Sequence, residues 1–299
     1  MAGNKAKNTA ALLSRFTWRS LLLIPALLFG LFALVPAAAG IDIEEEAKIL
    51  EDVIKAWERF PLSKLDDAEK TEDNAYKVQA VLFKRIIDST NDSVVGYKGA
   101  LTADAQIARF KAPGPAHAPL LKSGLTEIAD AAVPFTLKSF PGMMLETEFT
   151  YKTAVPVTSP VKDVEELKKL MKSVHASIEV PQLYFADMPN VTFFDLVASG
   201  AGSRSFVVGP AHEANLDVDS MQVVLTRDGT IVNEGKGTDV LGSPWNALLW
   251  LVNSLVERYG RVEAEQYLMT GAMGSMIPAQ PGKYVLTFPF ETLTFEVVE

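Results

Sequence analysis

Two glutamates one residue apart interrupt an apolar, strand-like run, and their placement constrains the fold more than any other feature of the chain. In Met144-Leu145-Glu146-Thr147-Glu148-Phe149-Thr150, the alternation of strand side chains sends Glu146 and Glu148 to the same face. Two carboxylates held side by side repel each other unless a cation lies between them. Glu179 follows, beyond a predicted helix and ahead of another apolar stretch. Together the three residues make a candidate oxygen-ligand site for a hard divalent ion, Mg²⁺ or Mn²⁺. The rival reading is an exposed polar strand face with no ion.

The N-terminus stands apart from the fold. Lys5, Lys7, Arg15 and Arg19 precede an uncharged run from Leu21 to Val35, which ends in Pro36-Ala37-Ala38-Ala39. A basic start, an apolar stretch and small residues at its end are the marks of a secretory signal. Residues 1–39 are therefore expected to be a signal peptide. If uncleaved they would be a membrane anchor, because Ser20 to Ala39 approaches the ~20 residues needed to span a bilayer. Either way the rest is expected outside the cytoplasm, in a bacterial periplasm, touching the inner membrane only through this segment.

Composition narrows the function classes. The chain has no cysteine, which excludes thiolate metal sites and a cysteine nucleophile. Its net charge is −9, and the leader holds four basic and no acidic residues, so the remainder carries about −13. Such a surface repels the phosphates of nucleic acid.

After the leader come helical signals. Ala47, Leu50, Ile54 and Trp57 fall at three- and four-residue spacing, as do Ala75, Val78, Leu82 and Ile86. Residues 40–90 are thus expected to form a helical arm, with the main domain over 91–299. From about Ser89 to Ser159, short apolar runs punctuated by Gly and Pro read as strands and loops. A helix is predicted over 164–174, capped by Asp163 with Glu166 in the box position, followed by a strand over 178–185. Gln222 to Thr226, Asp228-Gly229 and Thr230 to Asn233 read as a hairpin. Ser243-Pro244 opens a helix ending at Tyr259-Gly260, and strands over 284–288 and 292–298 close the chain. Helices first and strands throughout the rest indicate an α+β domain.

The residues also carry a family resemblance. Val95-Gly96-Tyr97-Lys98-Gly99-Ala100-Leu101-Thr102, the Glu-x-Glu pair, Glu179, Phe206-Val207-Val208-Gly209, and Leu241-Gly242-Ser243-Pro244-Trp245-Asn246-Ala247 through Trp250-Leu251-Val252-Asn253 resemble the 2-oxopent-4-enoate hydratase branch of the fumarylacetoacetate hydrolase superfamily. The ordered set spans about 73–295. The resemblance implies a mixed β-roll or sandwich core wrapped by helices, a bound Mg²⁺ or Mn²⁺, a homo-oligomer, and a small 2-oxo or 2-hydroxydienoic acid as substrate. Water addition through a metal-stabilised enolate is the implied reaction. Decarboxylation or acylpyruvate-type hydrolysis in the same superfamily, or an inactive metal-binding homologue, are the alternatives.

Lys98 occupies the family's position near the substrate, where it would hold a carboxylate or enolate or move a proton; a solvated lysine is the bland alternative. Thr270 begins a Thr-Gly turn matching one near the family's substrate, and a plain turn reads equally well. His117, in the Pro-rich segment 113–119, is read as a general acid or base. His175 and His212 are read as structural or solvated. Where the hydratases have Pro-Asp-aromatic-Gly, this chain has Pro115-Ala116-His117-Ala118. Where they have Ala-Asp-Asn-Ala-Ser, it has Ala198-Ser199-Gly200-Ala201-Gly202.

Overall fold

Alternation of apolar and polar side chains, more than helix periodicity, decides how this chain folds. The computed structural model describes residues 40–127 and 133–299. The expected leader, 1–39, lies outside the described residues. Residues 40–299 form one compact unit.

Its helices are α1 (Ile43–Ala56), α2 (Glu72–Thr90), α3 (Asp104–Phe110), α4 (Val164–Lys168), α5 (Phe193–Ala198) and α6 (Pro244–Tyr259). The first strands are β1 (Val94–Ala100), β2 (Ala116–Leu121), β3 (Leu125–Glu127), β4 (Val133–Thr136), β5 (Met144–Thr153), β6 (Met171–Val180) and β7 (Ser205–Val208). The second half adds β8 (His212–Glu213), β9 (Gln222–Arg227), β10 (Thr230–Lys236), β11 (Tyr267–Met269), β12 (Met273–Pro278), β13 (Gly282–Phe288) and β14 (Glu291–Val298). Nine strands make a mixed sheet in the order β2-β1-β11-β5-β6-β7-β3, with β12 also on β5 and β8 on β6. The other five make a second sheet, β10-β9-β13-β14-β4. The expected α+β class, a mixed β core wrapped by helices, is what the chain adopts.

Strand β6 shows the alternation most clearly. Val174, Ala176, Ile178 and Val180 point into the main core with Leu145, Phe149 and Tyr151 of β5, α6, and Leu286, Leu293 and Phe295 of the second sheet. Ser173, His175, Ser177 and Glu179 point the other way. The helix predicted over 164–174 therefore ends at Lys168, and the following strand runs over 171–180 instead of 178–185. The period of two from Ser173 to Val180 outweighs the apolar spacing that Leu170 and Val174 share with Leu167.

The helical arm closes over the polar face of this sheet. Helices α1, α2 and α5 share a second apolar cluster with Leu101, Ala116 and Ala118. Gln79 of α2 fixes the arrangement: its Nε2 donates to His117 O at 3.1 Å and to Val197 O at 2.8 Å. Trp57, expected on the apolar stripe of α1, instead terminates that helix at φ 56° and is half exposed. Helix α3 lies in a region expected to hold only strands and loops. None of its residues is fully buried, and the partly buried Ile107 and Phe110 make too short a stripe to announce it.

The expected hairpin and the expected capped helix both form. Asp228 (φ 50°) and Gly229 (φ 81°) form the hairpin turn between β9 and β10. Ser243 caps α6, and Gly260 ends it at φ 80°. Among the described residues no helix is long and apolar enough to cross a membrane.

Candidate metal centre and adjoining cavity

Strands β5 and β6 pair so that Glu146 lies directly opposite Glu179, with Glu148 opposite Ser177. Cross-strand neighbours and residues two apart share a face, and the three carboxylates converge there. One oxygen from each lies within 4.8 Å of the others. Glu148 and Glu179 are fully buried and Glu146 is 9 % exposed.

Lys98 reaches the cluster from β1. Its Nζ lies 2.5 Å from Glu179 Oε1 and donates to Ala201 O at 3.0 Å. Burial pulls the ammonium's pKa down, and Glu179, Glu146 and Glu148 more than offset that, leaving it raised. One ammonium balances only one of three carboxylates. Burial first, and Glu179 next, push Glu146 up to about 8, and burial, Glu179 and Glu146 push Glu148 well above its ordinary value. When all three are ionised, two negative charges are left over in a buried site.

The donor set fits a hard divalent ion. It offers oxygens only, its excess charge matches a 2+ cation, and buried lone pairs remain unused. Glu148 Oε1 and Glu179 Oε2 have no hydrogen-bond partner. Glu148 is aimed by its other oxygen, which accepts the Gly271 N–H at 2.7 Å. Only glycine serves there, because φ is 104° and a Cβ would come within 2.0 Å of Thr102 Oγ1.

A cavity of about 180 Å³ opens beside this cluster and is lined by both Lys98 and Glu146. Leu101, Leu183 and Leu196 supply apolar wall, and Gln106 and Arg109 of α3 line it as well. The volume is below the roughly 300–1,000 Å³ of sites for drug-sized molecules, so it suits a small acid. Ala201, which holds Lys98, is itself left-handed at φ 49° between Gly200 (82°) and Gly202 (73°). That turn places its carbonyl under the ammonium.

The structure thus brings together Glu146, Glu148, Glu179 and Lys98. It does not bring His117 to them. His117 pairs with Gly99, one residue from Lys98, and so faces the opposite side of the sheet. There it is fully buried, 4.6 Å from the Tyr76 ring and 5.7 Å from the Tyr259 ring between centroids, with neither ring nitrogen hydrogen-bonded. Burial, with a lesser push from Arg258, lowers its pKa to about 3. Thr270 lies next to Gly271, but its hydroxyl donates to Phe149 O and it does not line the cavity.

His175 joins Ser173 Oγ (2.7 Å) to Gly209 O (2.8 Å), and His212 pairs with Glu291 at 3.1 Å. Both are structural. Gln106 and Arg109 escaped the sequence reading, while Gly271 and Ala201 were named only within the Thr-Gly turn and the 198–202 run, without the roles their backbones play. The Gly-Ala-Gly run at 200–202 and the Thr-Gly step at 270 were the available signals.

No family model matches the chain. It is 27 % identical over 242 residues to a 4-oxalocrotonate decarboxylase from Pseudomonas sp. (strain CF600), covering 80 % of this chain and 87 % of that one. It is also 27 % identical over 244 residues to a 2-keto-4-pentenoate hydratase from Paraburkholderia xenovorans (strain LB400), covering 80 % and 88 %. Among solved structures, the 4-oxalocrotonate decarboxylase from Pseudomonas putida G7, complexed with magnesium and adipate, superimposes with a TM-score of 0.78 at 22 % identity, over 86 % of this chain and 97 % of that one. The fumarylpyruvate hydrolase from Pseudomonas aeruginosa, in complex with Mn²⁺ and pyruvate, gives 0.52 at 13 % identity over 68 % and 88 %.

Proposed function

We propose that this chain, a relative of the 2-keto-4-pentenoate hydratases and 4-oxalocrotonate decarboxylases within the fumarylacetoacetate hydrolase superfamily, is a divalent-metal-dependent lyase acting on a small 2-oxo or 2-hydroxydienoic acid. The observation that carries the reading is the convergence of Glu146, Glu148 and Glu179 on one buried face, with excess negative charge and free lone pairs beside a small cavity.

Glu146, Glu148 and Glu179 are the residues that would hold Mg²⁺ or Mn²⁺. Such an ion, when bound, supplies Lewis-acid polarisation of the substrate's 2-oxo group. Lys98 is the cation built into the cavity wall. Held between Glu179 and Ala201 O, it holds the substrate carboxylate, or moves a proton at the carbon chain. The apolar walls exclude water from most of the chain and strengthen both interactions.

Hydration is the first reading: the substrate is protonated at its far end and water then adds at C4. Decarboxylation is the second, and the observation favouring it is Ala116. That position is fully buried and apolar, so β2 offers no acid there to assist water addition. His117, which faces away, does not replace it. We also propose that residues 1–39 direct export, on their basic start, apolar run and terminal alanines.

The experiment is to supply the full chain with Mg²⁺ or Mn²⁺ and follow the ultraviolet loss of 2-hydroxypenta-2,4-dienoate and of its 5-carboxy analogue, with Glu148→Ala as control. Metal-dependent loss that disappears in the variant supports the lyase, and water addition or CO₂ release names the reaction. Metal binding without consumption of either compound sinks it in favour of a binding protein.

A further inference from the structure

Strand β5 meets β6 on one side of Glu146 and β12 on the other, and β12 is broken at that point. It pairs Met273 with Thr147 and Ile277 with Leu145. Glu146 therefore faces Gly274, Ser275 and Met276 together, where an unbroken antiparallel ladder would set a single residue. Such bulges bend a strand and re-aim a side chain, and they recur beside active sites.

Side chains from β10 and the turn after it hold the bulge in place. Asp239 Oδ2 accepts the Gly274 N–H at 3.0 Å and Asn233 Oδ1 accepts the Ser275 N–H at 2.9 Å, so both amides released from the ladder are paired. Asn233, itself buried, also donates through Nδ2 to Met273 O at 3.0 Å and to Thr147 Oγ1 at 3.2 Å. Gly274 takes φ 74°, and a Cβ there would lie 2.2 Å from Glu234 O, so only glycine fits.

What the bulge delivers is Met276. Ile277 shares the face of Leu145 and packs against the main core, so its neighbour Met276 turns to the carboxylate face. There it lines the cavity with Lys98 and Glu146, and it stays partly exposed. A thioether is a poor ligand for a hard ion and carries no proton to transfer. Its contribution is the space it fills, in a cavity of only about 180 Å³.

Resting on the function proposed above, we infer that Met276, delivered by this bulge, is a specificity-determining residue whose side chain limits the length of the substrate's carbon chain. The 2-oxo acid end is held at the glutamates and Lys98. A chain that outgrows the cavity meets the thioether, and the ladder bonds given up along β12 place that stop beside the metal centre.

The test titrates unreactive saturated acids of rising length, 2-oxobutanoate, 2-oxohexanoate and 2-oxooctanoate, calorimetrically into the Mn²⁺-loaded full chain. In the parent, binding weakens roughly tenfold from the shortest acid to the longest, because added methylenes overpack the cavity. Met276→Ala, which removes Cγ, Sδ and Cε, erases that fall. Met276→Leu, close in volume, keeps it, and the bulkier Met276→Phe brings it forward to 2-oxohexanoate. No fall in the parent, or an equal fall in the parent and in Met276→Ala, overturns the inference while leaving the metal-dependent 2-oxo acid site intact. Loss of Mn²⁺ binding in Met276→Ala overturns it too, since the residue would then support the ion. If Mn²⁺ binds to the parent and none of the acids does, the functional reading itself falls and this inference falls with it.

Discussion

Glu146 and Glu179 sit directly opposite each other on adjacent antiparallel strands, at a position where like charges are ordinarily excluded. The pair, joined by Glu148 and answered by a single lysine, makes a site whose own charges oppose folding until a cation arrives.

Metal should therefore stabilise the protein measurably. At a hundredfold excess over Kd, a ligand bound only by the native state adds about 2.7 kcal/mol, or roughly 5–10 °C for a domain of this size. Glu146→Gln should abolish Mn²⁺ binding by calorimetry and remove that rise, while the metal-free variant melts no lower than the metal-free parent. A variant that still binds one equivalent of Mn²⁺ sinks the ligand assignment.

Lys98→Met separates chemistry from metal binding. It removes the one cation that pairs with this cluster among the described residues, so Mn²⁺ affinity should hold or rise. Turnover should drop by about 10²–10⁴, the usual contribution of a positioned proton-transfer group. Loss of metal binding instead would make Lys98 a structural counter-ion.

Acid sensitivity is expected from His117. Its folded pKa, lowered to about 3, lies below the unfolded value of about 6.5. The unfolded chain thus binds a proton that the native chain refuses between those two values. Stability is full above the unfolded pKa and is lost as pH falls toward 3, by up to about 1.4 kcal/mol per unit. Urea unfolding at pH 7 and pH 5 should show this loss in the parent and a smaller one in His117→Phe, which keeps an aromatic ring among Tyr76, Tyr97 and Tyr259. An equal loss in both would show that the ring already accepts a proton in the folded state.

Gly271→Ala should weaken the site without touching a ligand. A left-handed φ and the collision with Thr102 cost roughly 1–3 kcal/mol, and the N–H that aims Glu148 moves with the backbone. Lower melting temperature together with weaker Mn²⁺ binding is expected. Adding Thr102→Ala should recover part of the stability, because it removes the closest contact, Oγ1, and leaves φ as it was.

Export is checked on the protein made in a bacterial host. The proposal requires mature protein in the periplasm beginning near residue 40, or full-length protein released only by detergent. Full-length protein free in the cytoplasm would end it.

The sequence disclosed much of this through period and punctuation. The hairpin at Asp228-Gly229, the capped helix α6 and the same-face glutamates all follow from local rules. Two failures have a common origin. Leu170 and Val174 fit a helical stripe only while Ser173, Ser177 and Glu179 go unnoticed as the other half of an alternation. His117 lay close to the site in sequence, but a strand turns adjacent residues to opposite faces, and its register against Gly99 was not legible. Helix α3 was hidden for the opposite reason: its seven residues offer only Ile107 and Phe110, both partly buried, as an apolar stripe, too little pattern to mark a helix.

The alternation along β5 and β6 has a consequence for how such a protein changes over time. Leu145, Phe149 and Tyr151 answer to the main core, while Glu146 and Glu148 on the other face answer to the carboxylate site, and the pleat keeps the two sets from touching. A substitution on one face therefore need not disturb the other. A lineage that rewrites the polar face to suit a new acid leaves the framework beneath it undisturbed, so the scaffold outlasts any one reaction performed on it.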